Sequence, residues 1–143
     1  IASSILDWAE KNGSKEIVVL DGVASKESHD NKAFCAAEED LCRVMADKGI
    51  NMIPQGFVTG IPGAILNECL ILNIRGLNII VKANPQNTDP LAASNLVQAV
   101  NRAYDTAIDV SDLKKQEEQL GLDFKELSDK YTETRKSDAG LYM

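Results

Sequence analysis

Gln55-Gly56-Phe57-Val58-Thr59-Gly60-Ile61-Pro62-Gly63-Ala64-Ile65-Leu66-Asn67-Glu68 is the stretch whose reading decides the fold. A short apolar run, Phe57-Val58, stops at Thr59-Gly60, and a Gly-Ile-Pro-Gly turn follows. Glycine admits backbone angles and close approaches that a Cβ would block, and proline suits a first helical turn. The pattern therefore reads as strand, tight loop and helix. From Ile61 to Ile74 apolar residues occupy almost every helical face, which predicts a buried helix rather than a surface one. At about fourteen residues it is too short to span a bilayer. It is expected to be the central helix of the domain.

Working outward, Ile1 to Asn12 carries apolar residues at 1, 5, 8 and 9 and stops at Asn12-Gly13, a helix ending. Ile17-Val18-Val19-Leu20 is a continuous β-branched run of the kind found in strands covered on both faces. Ser25 to Lys32 is polar and reads as an exposed loop, and Ala33-Phe34-Cys35-Ala36 as a short strand. Glu38-Glu39-Asp40 places acid where a helix dipole favours it, ahead of a stripe of Leu41, Val44 and Met45 that closes at Lys48-Gly49. Leu77 to Ala83 predicts another strand. Asp89-Pro90 opens a helix whose inward stripe is expected at Ala93, Leu96, Val97, Val100, Ala103 and Tyr104. Strands alternating with helices at this density predict an α/β fold, a parallel-dominated sheet with helices on both faces.

Beyond Tyr104 the composition changes. Ser111 to Leu120 predicts a polar helix ending at Gly121, and Asp123 a cap for a second with Phe124, Leu127 and Tyr131 on one face. The expected organisation is an α/β domain over 1–106, a C-terminal helical segment over 107–131, and a flexible tail over 132–143. In that tail, apolar residues return only at Leu141-Tyr142-Met143.

The 143 residues suit one domain, and a net charge of −7 argues against nucleic acid or an anionic membrane as the main partner. No signal peptide or membrane-spanning run is seen. Three cysteines (Cys35, Cys42, Cys69) without a C-x-x-C pair, and a single histidine, fit reduced thiols in the cytoplasm and leave no metal site.

Candidate chemistry is sparse. Cys35 and His29 are the sole Cys/His pair close in sequence, and Ser28-His29-Asp30 are adjacent, whereas a triad needs convergence from separate positions. Gly60-Ile61-Pro62-Gly63 precedes a helix and is read either as a structural turn or as an anion site; it lacks the Lys-Ser/Thr of a P-loop. Asp89-Pro90 is read either as a helix cap or as the lining of a pocket at the strand ends. No catalytic residue, cofactor or metal is assigned, and a binding or scaffolding role is favoured.

Two segments together carry a resemblance. Gly56-Phe57-Val58-Thr59-Gly60-Ile61-Pro62-Gly63 and its following helix resemble the glycine-rich strand–turn–helix signature of the proteasome assembly chaperone family. Asn87-Thr88-Asp89-Pro90-Leu91-Ala92-Ala93 resembles that family's Pro-Asp-Pro-x-Ala-Ala helix start, and Glu16 to Gly22 its strand ending in Leu-x-Gly. The resemblance covers about residues 1 to 105 and picks out Gly56, Gly60, Pro62, Gly63, Asp89 and Pro90. It implies a three-layer sandwich like phosphorylase and hydrolase domains. Family members have a longer N-terminal portion, so a chain beginning at Ile1 is expected to be truncated or proteolysed.

The ending Leu141-Tyr142-Met143 is similar to the hydrophobic–tyrosine–any tail with which proteasome activators and some archaeal assembly chaperones dock on the core particle. The resemblance implies binding to proteasome α-subunits by a homo-oligomer that presents several tails, with no nucleic acid or membrane partner. The competing expectation is an α/β enzyme of phosphorylase, hydrolase or ATP-grasp-related type, with a small-molecule site near Gly60 and Asp89.

Overall fold

The computed structural model describes residues 1–25, 31–54 and 56–140, with side chains described through 132. Its elements are α1 (Ala2–Lys11), β1 (Glu16–Ala24), β2 (Ala33–Ala37), α2 (Glu39–Asp47), β3 (Asn51–Met52), α3 (Gly60–Leu72), β4 (Arg75–Ala83), α4 (Pro90–Tyr104) and α5 (Ser111–Gly140). The strands form one sheet in the order β1-β4-β2-β3. β1 runs parallel to β4 over its whole length, from Glu16↔Arg75 to Ala24↔Ala83. β3 is parallel to β2, and β2 is antiparallel to β4. The sheet is thus mixed, with two parallel pairings and one antiparallel.

Successive strand residues face opposite sides, which sorts the core into two layers. Val18, Cys35, Leu77, Ile79 and Val81 face α2 and α4, where they meet Leu41, Cys42, Met45, Ala92 and Ala99. Ile17 and Val19 face the other way and pack with Leu6 of α1 and Ile65 and Cys69 of α3. Helices therefore cover both faces, as expected. β4 is the central strand, and its uninterrupted buried run is what the unalternating sequence Leu77-Asn78-Ile79-Ile80-Val81 predicts. Asn78 is the exception in kind: it is fully buried, with neither amide atom hydrogen-bonded.

Several expectations are corrected. α3 is not buried throughout: Ile65 and Cys69 face the sheet, whereas Ile61, Leu70, Ile71 and Leu72 are exposed. A sheet face accepts one layer of helix, and among the described residues nothing lies above α3. Phe57-Val58 forms no strand, and the short β3 at Asn51–Met52 takes its place at the sheet edge, leaving Phe57 96% exposed. On α4 the inward face is set by Ala92, Ala99 and Ala103, with Leu96 and Val100 packed at its border, while Tyr104 is exposed. Small residues let the helix lie close on the sheet, which displaces the larger ones outward.

The C-terminal helices expected to break at Gly121 are one helix that continues through 132–140, the stretch expected to be a flexible tether. One glycine costs a helix about 1 kcal/mol, too little to end it against continuous flanking turns. Gln119 donates to Asp123 at 2.9 Å across the glycine, so Asp123 ties the helix to itself instead of starting a new one. Among the described residues no helix is long and apolar enough to cross a membrane.

Candidate functional site

The residues singled out by motif lie in two places, and both are built by backbone constraint. In the glycine turn, Gly56 has φ +155 and Gly60 φ +67, values that L side chains rarely adopt. Thr59 precedes α3 in extended conformation without a side-chain cap, and Pro62 sits in the first helical turn, where its missing N–H is harmless. Gly63 has a different reason to be glycine: a Cβ there would lie 2.3 Å from the carbonyl oxygen of Val58. The loop before α3 is thus pressed against the first turn of the helix. At the other end of the same packing, a Cβ on Gly76 would lie 2.9 Å from the Cβ of Cys69, so α3 rests directly on β4. Gly60-Ile61-Pro62-Gly63, expected to precede the helix, is itself the first turn of α3.

At the second place, both carboxylate oxygens of Asp89 are committed. Oδ1 accepts from the backbone N–H of Ala92 at 2.8 Å and Oδ2 from that of Asn84 at 2.7 Å. The first bond is the N-cap of α4, with Pro90 following it; the second ties the loop after β4 to the cap. Asp89 also lines a groove of about 590 Å³, whose opposite wall is α5 (Leu120, Phe124, Leu127) and not the glycine turn. The two motif regions are therefore separate supports of the sandwich.

Of the nucleophile candidates, Cys35 lies among the described residues. Cys35 is fully buried, its Sγ 3.9 Å from that of Cys42 and 3.6 Å from the carbonyl oxygen of Ile50. Burial first, and then the neighbouring Cys42, push its thiol up to about 12, the reverse of an activated nucleophile. His29, with Ser28 and Asp30, lies outside the described residues. Among those residues no cluster of three or more His, Cys, Asp or Glu forms that could hold a metal ion.

The largest feature left is apolar surface on α5. Leu120, Phe124, Leu127 and Tyr131 are between 46% and 77% exposed and stand at alternating four- and three-residue spacings, with Leu113 one heptad before Leu120. The period matches a coiled-coil seam, and Leu120, Phe124 and Leu127 also wall the groove beside Asp89. Splitting α5 at Gly121 hid this run in the sequence, because Leu113 and Leu120 fell on one side of the break and Phe124 on the other. The ending Leu141-Tyr142-Met143, expected to dock, lies outside the described residues.

A family model described as the PAC2 family matches residues 1–128. A protein of unknown function from Thermoplasma acidophilum is 27% identical, with a TM-score of 0.75 over 96% of this chain and 57% of its own. Pyrococcus furiosus PbaA, an archaeal homolog of proteasome-assembly chaperone, is 19% identical, with a TM-score of 0.83 over 99% of this chain and 60% of its own. Pyrococcus furiosus PbaB, an archaeal proteasome activator, is 20% identical, with a TM-score of 0.77 over 89% and 56%. The chain thus spans less than two thirds of each of these proteins. No curated protein matches it.

Proposed function

Because the chain belongs to the PAC2 family, we propose that it is a cytoplasmic, non-catalytic protein of the proteasome assembly chaperone type, binding the α-ring of the core particle through its C-terminal tail. The observation that carries this reading is the family match over residues 1–128, joined to folds shared with an assembly-chaperone homolog and a proteasome activator. The absence of any need for catalysis is supported by Asp89, whose oxygens are spent on a helix cap, and by the buried, unactivated Cys35.

In this reading the carboxylate of Met143 pairs with a lysine between adjacent α-subunits. Tyr142 fills the pocket with its ring, and Leu141 packs on the wall. One tail offers little area and binds weakly. Several tails on one oligomer raise avidity by about 10²–10⁴ where their spacing matches the ring. The exposed stripe of Leu120, Phe124, Leu127 and Tyr131 supports such an oligomer, since pairing of α5 helices would cover it.

The test is capture of purified core particles by the intact chain, by Tyr142→Ala, and by a chain with one residue added after Met143. Loss of an anchoring aromatic costs about 2 kcal/mol, roughly thirtyfold per tail, and multivalency enlarges the loss. Both variants should fail to capture while melting like the parent. Undiminished capture by both would remove the tail from the mechanism.

A further inference from the structure

We propose that Cys35 and Cys42 form a redox modification site, at which a small-molecule disulfide oxidises the two thiols to an intramolecular disulfide that staples α2 to β2. The thiols belong to different elements, Cys35 to β2 and Cys42 to the N-terminal half of α2. They meet in the core between those elements, with the two Sγ atoms 3.9 Å apart in non-bonded contact. Each sulfur is also turned toward a carbonyl oxygen, Cys35 donating to that of Ile50 at 3.6 Å and Cys42 to that of Ala37 at 3.5 Å. The third cysteine, Cys69, packs with Leu6 and Ile65 on the opposite face of the sheet, so the sheet itself separates it from both.

A disulfide needs its sulfurs about 2.05 Å apart, so this pair must close by about 1.9 Å. No atom fits between the sulfurs at their present separation, so side-chain rotation and a slight approach of α2 complete the bond. The thiol hydrogens that Ile50 and Ala37 accept are weak donors, and their loss is a minor cost. Cys35 also sits where the chain returns from α2: it pairs with Met52, and its carbonyl oxygen accepts from the N–H of Ile53 at 3.1 Å. A bond at this point therefore ties α2 to the strand that holds β3.

Both thiols are buried, at 0% and 4% exposure, and burial together with Cys42 keeps Cys35 protonated, so attack begins from a locally opened chain. α2 supplies that opening. Its N-terminal end has no side-chain cap at Glu38, whereas its C-terminal end is tied by Lys48, which donates to Asp105 at 2.9 Å. Lifting the first turn uncovers Cys42 and, beneath it, Cys35. One cysteine, as thiolate, attacks a sulfur of the small disulfide, forming a mixed disulfide and releasing one small thiolate. The second cysteine then attacks the protein sulfur of that mixed disulfide and releases the other. Two electrons pass from the cysteines to the small disulfide, and the two cysteine protons end on the two released thiols. In a reducing compartment the pair stays dithiol, and it closes when the small-disulfide pool is oxidised. The inference does not rest on the proteasome reading.

The experiment treats the folded full chain with glutathione disulfide, quenches it with acid, and alkylates the remaining thiols under denaturing conditions. The expected product is a chain lighter by two hydrogen atoms, with Cys69 alone alkylated. Glu38 and Glu39 lie between the two cysteines, so cleavage at the glutamates yields fragments that stay joined until they are reduced. Because the new ring restricts the unfolded chain, Tm should rise by about 5–10 °C and return on treatment with dithiothreitol. Cys42→Ala should show no oxidant-dependent rise in Tm; where that variant does not fold, the parent before and after dithiothreitol carries the comparison. Three alkylatable thiols in the folded chain, under conditions that oxidise the urea-unfolded chain, would overturn the inference. So would a disulfide that includes Cys69, a glutathione adduct that never resolves, or an oxidised chain whose Tm does not rise.

Discussion

Gly63→Ala tests the packing of the glycine turn, because it sets two known effects of opposite sign against each other. In a helix interior alanine is favoured over glycine by about 0.8–1 kcal/mol. Against this, the new Cβ would lie 2.3 Å from the carbonyl oxygen of Val58 and 2.9 Å from its carbon. Ordinary carbon–oxygen contact is about 3.3 Å or more, so the loop must retreat by roughly 1 Å. Both atoms belong to the backbone and cannot swing away as a side chain would, which places the cost near the upper end of overpacking, about 3 kcal/mol. The net loss is about 2 kcal/mol, a fall in Tm of roughly 8 °C for a chain of this size. Gly121→Ala is the internal control: nothing lies within 4 Å of its Cβ, and the position is helical. The same substitution there should raise Tm by about 2–4 °C. Thermal melts followed by circular dichroism at one fixed protein concentration compare the two directly. A Gly63→Ala chain as stable as the parent would falsify the close approach of Val58 to α3.

Asp89→Ala removes the cap of α4 and frees the N–H of Asn84, and should cost about 1–2 kcal/mol by urea titration, with Asp89→Asn recovering part of it. Asn78→Leu replaces a buried amide with no hydrogen bond by an apolar group of similar volume, and should raise stability by about 1–2 kcal/mol; a loss would mean that the amide has a partner. Burial pushes the Cys35 thiol up to about 12 and raises the Cys69 thiol as well. These groups stay protonated in the fold after they ionise in the unfolded chain. For Cys35 that stability is therefore fully present below pH 9 and is lost as pH rises from 9 toward about 12, by up to about 1.4 kcal/mol per pH unit. Urea midpoints between pH 8 and 10.5 should fall, and less steeply in Cys35→Ala. A flat profile would place the thiols in water.

The parts legible in the sequence were those written by local chemistry. Asp89-Pro90 announced a capped helix, Leu77 to Ala83 a strand covered on both faces, and Lys48-Gly49 a helix end. All three hold, because a cap, a breaker and an uninterrupted apolar run act within a few residues. The failures depended on how much cover the rest of the chain supplies. The all-round apolar sequence of α3 specifies a helix but cannot say that one flank will lack a neighbour. The helix period alone misassigned the inward face of α4, because the choice between Ala92-Ala99 and Val97-Tyr104 rests on clearance above the sheet. Local propensity makes Gly121 a stop, whereas helix continuity is cooperative over the turns on both sides. The pairing of Phe34 and Cys35 with Asn51 and Met52 in place of a strand at Phe57-Val58 carries no sequence signal beyond shortness.

An unbroken α5 makes the end of the chain a matter of angular phase as well as distance. Thirty helical residues extend about 45 Å, and each residue rotates the chain's heading by about 100°. A single residue inserted after Tyr131 would advance the end by only about 1.5 Å, yet swing it to another side of the helix. Seven inserted residues would carry it about 10 Å farther while returning it to within about 20° of its original bearing. Reach and heading are thus set by separate features of the sequence, and the bearing on which the chain passes Gly140 is counted out in residues.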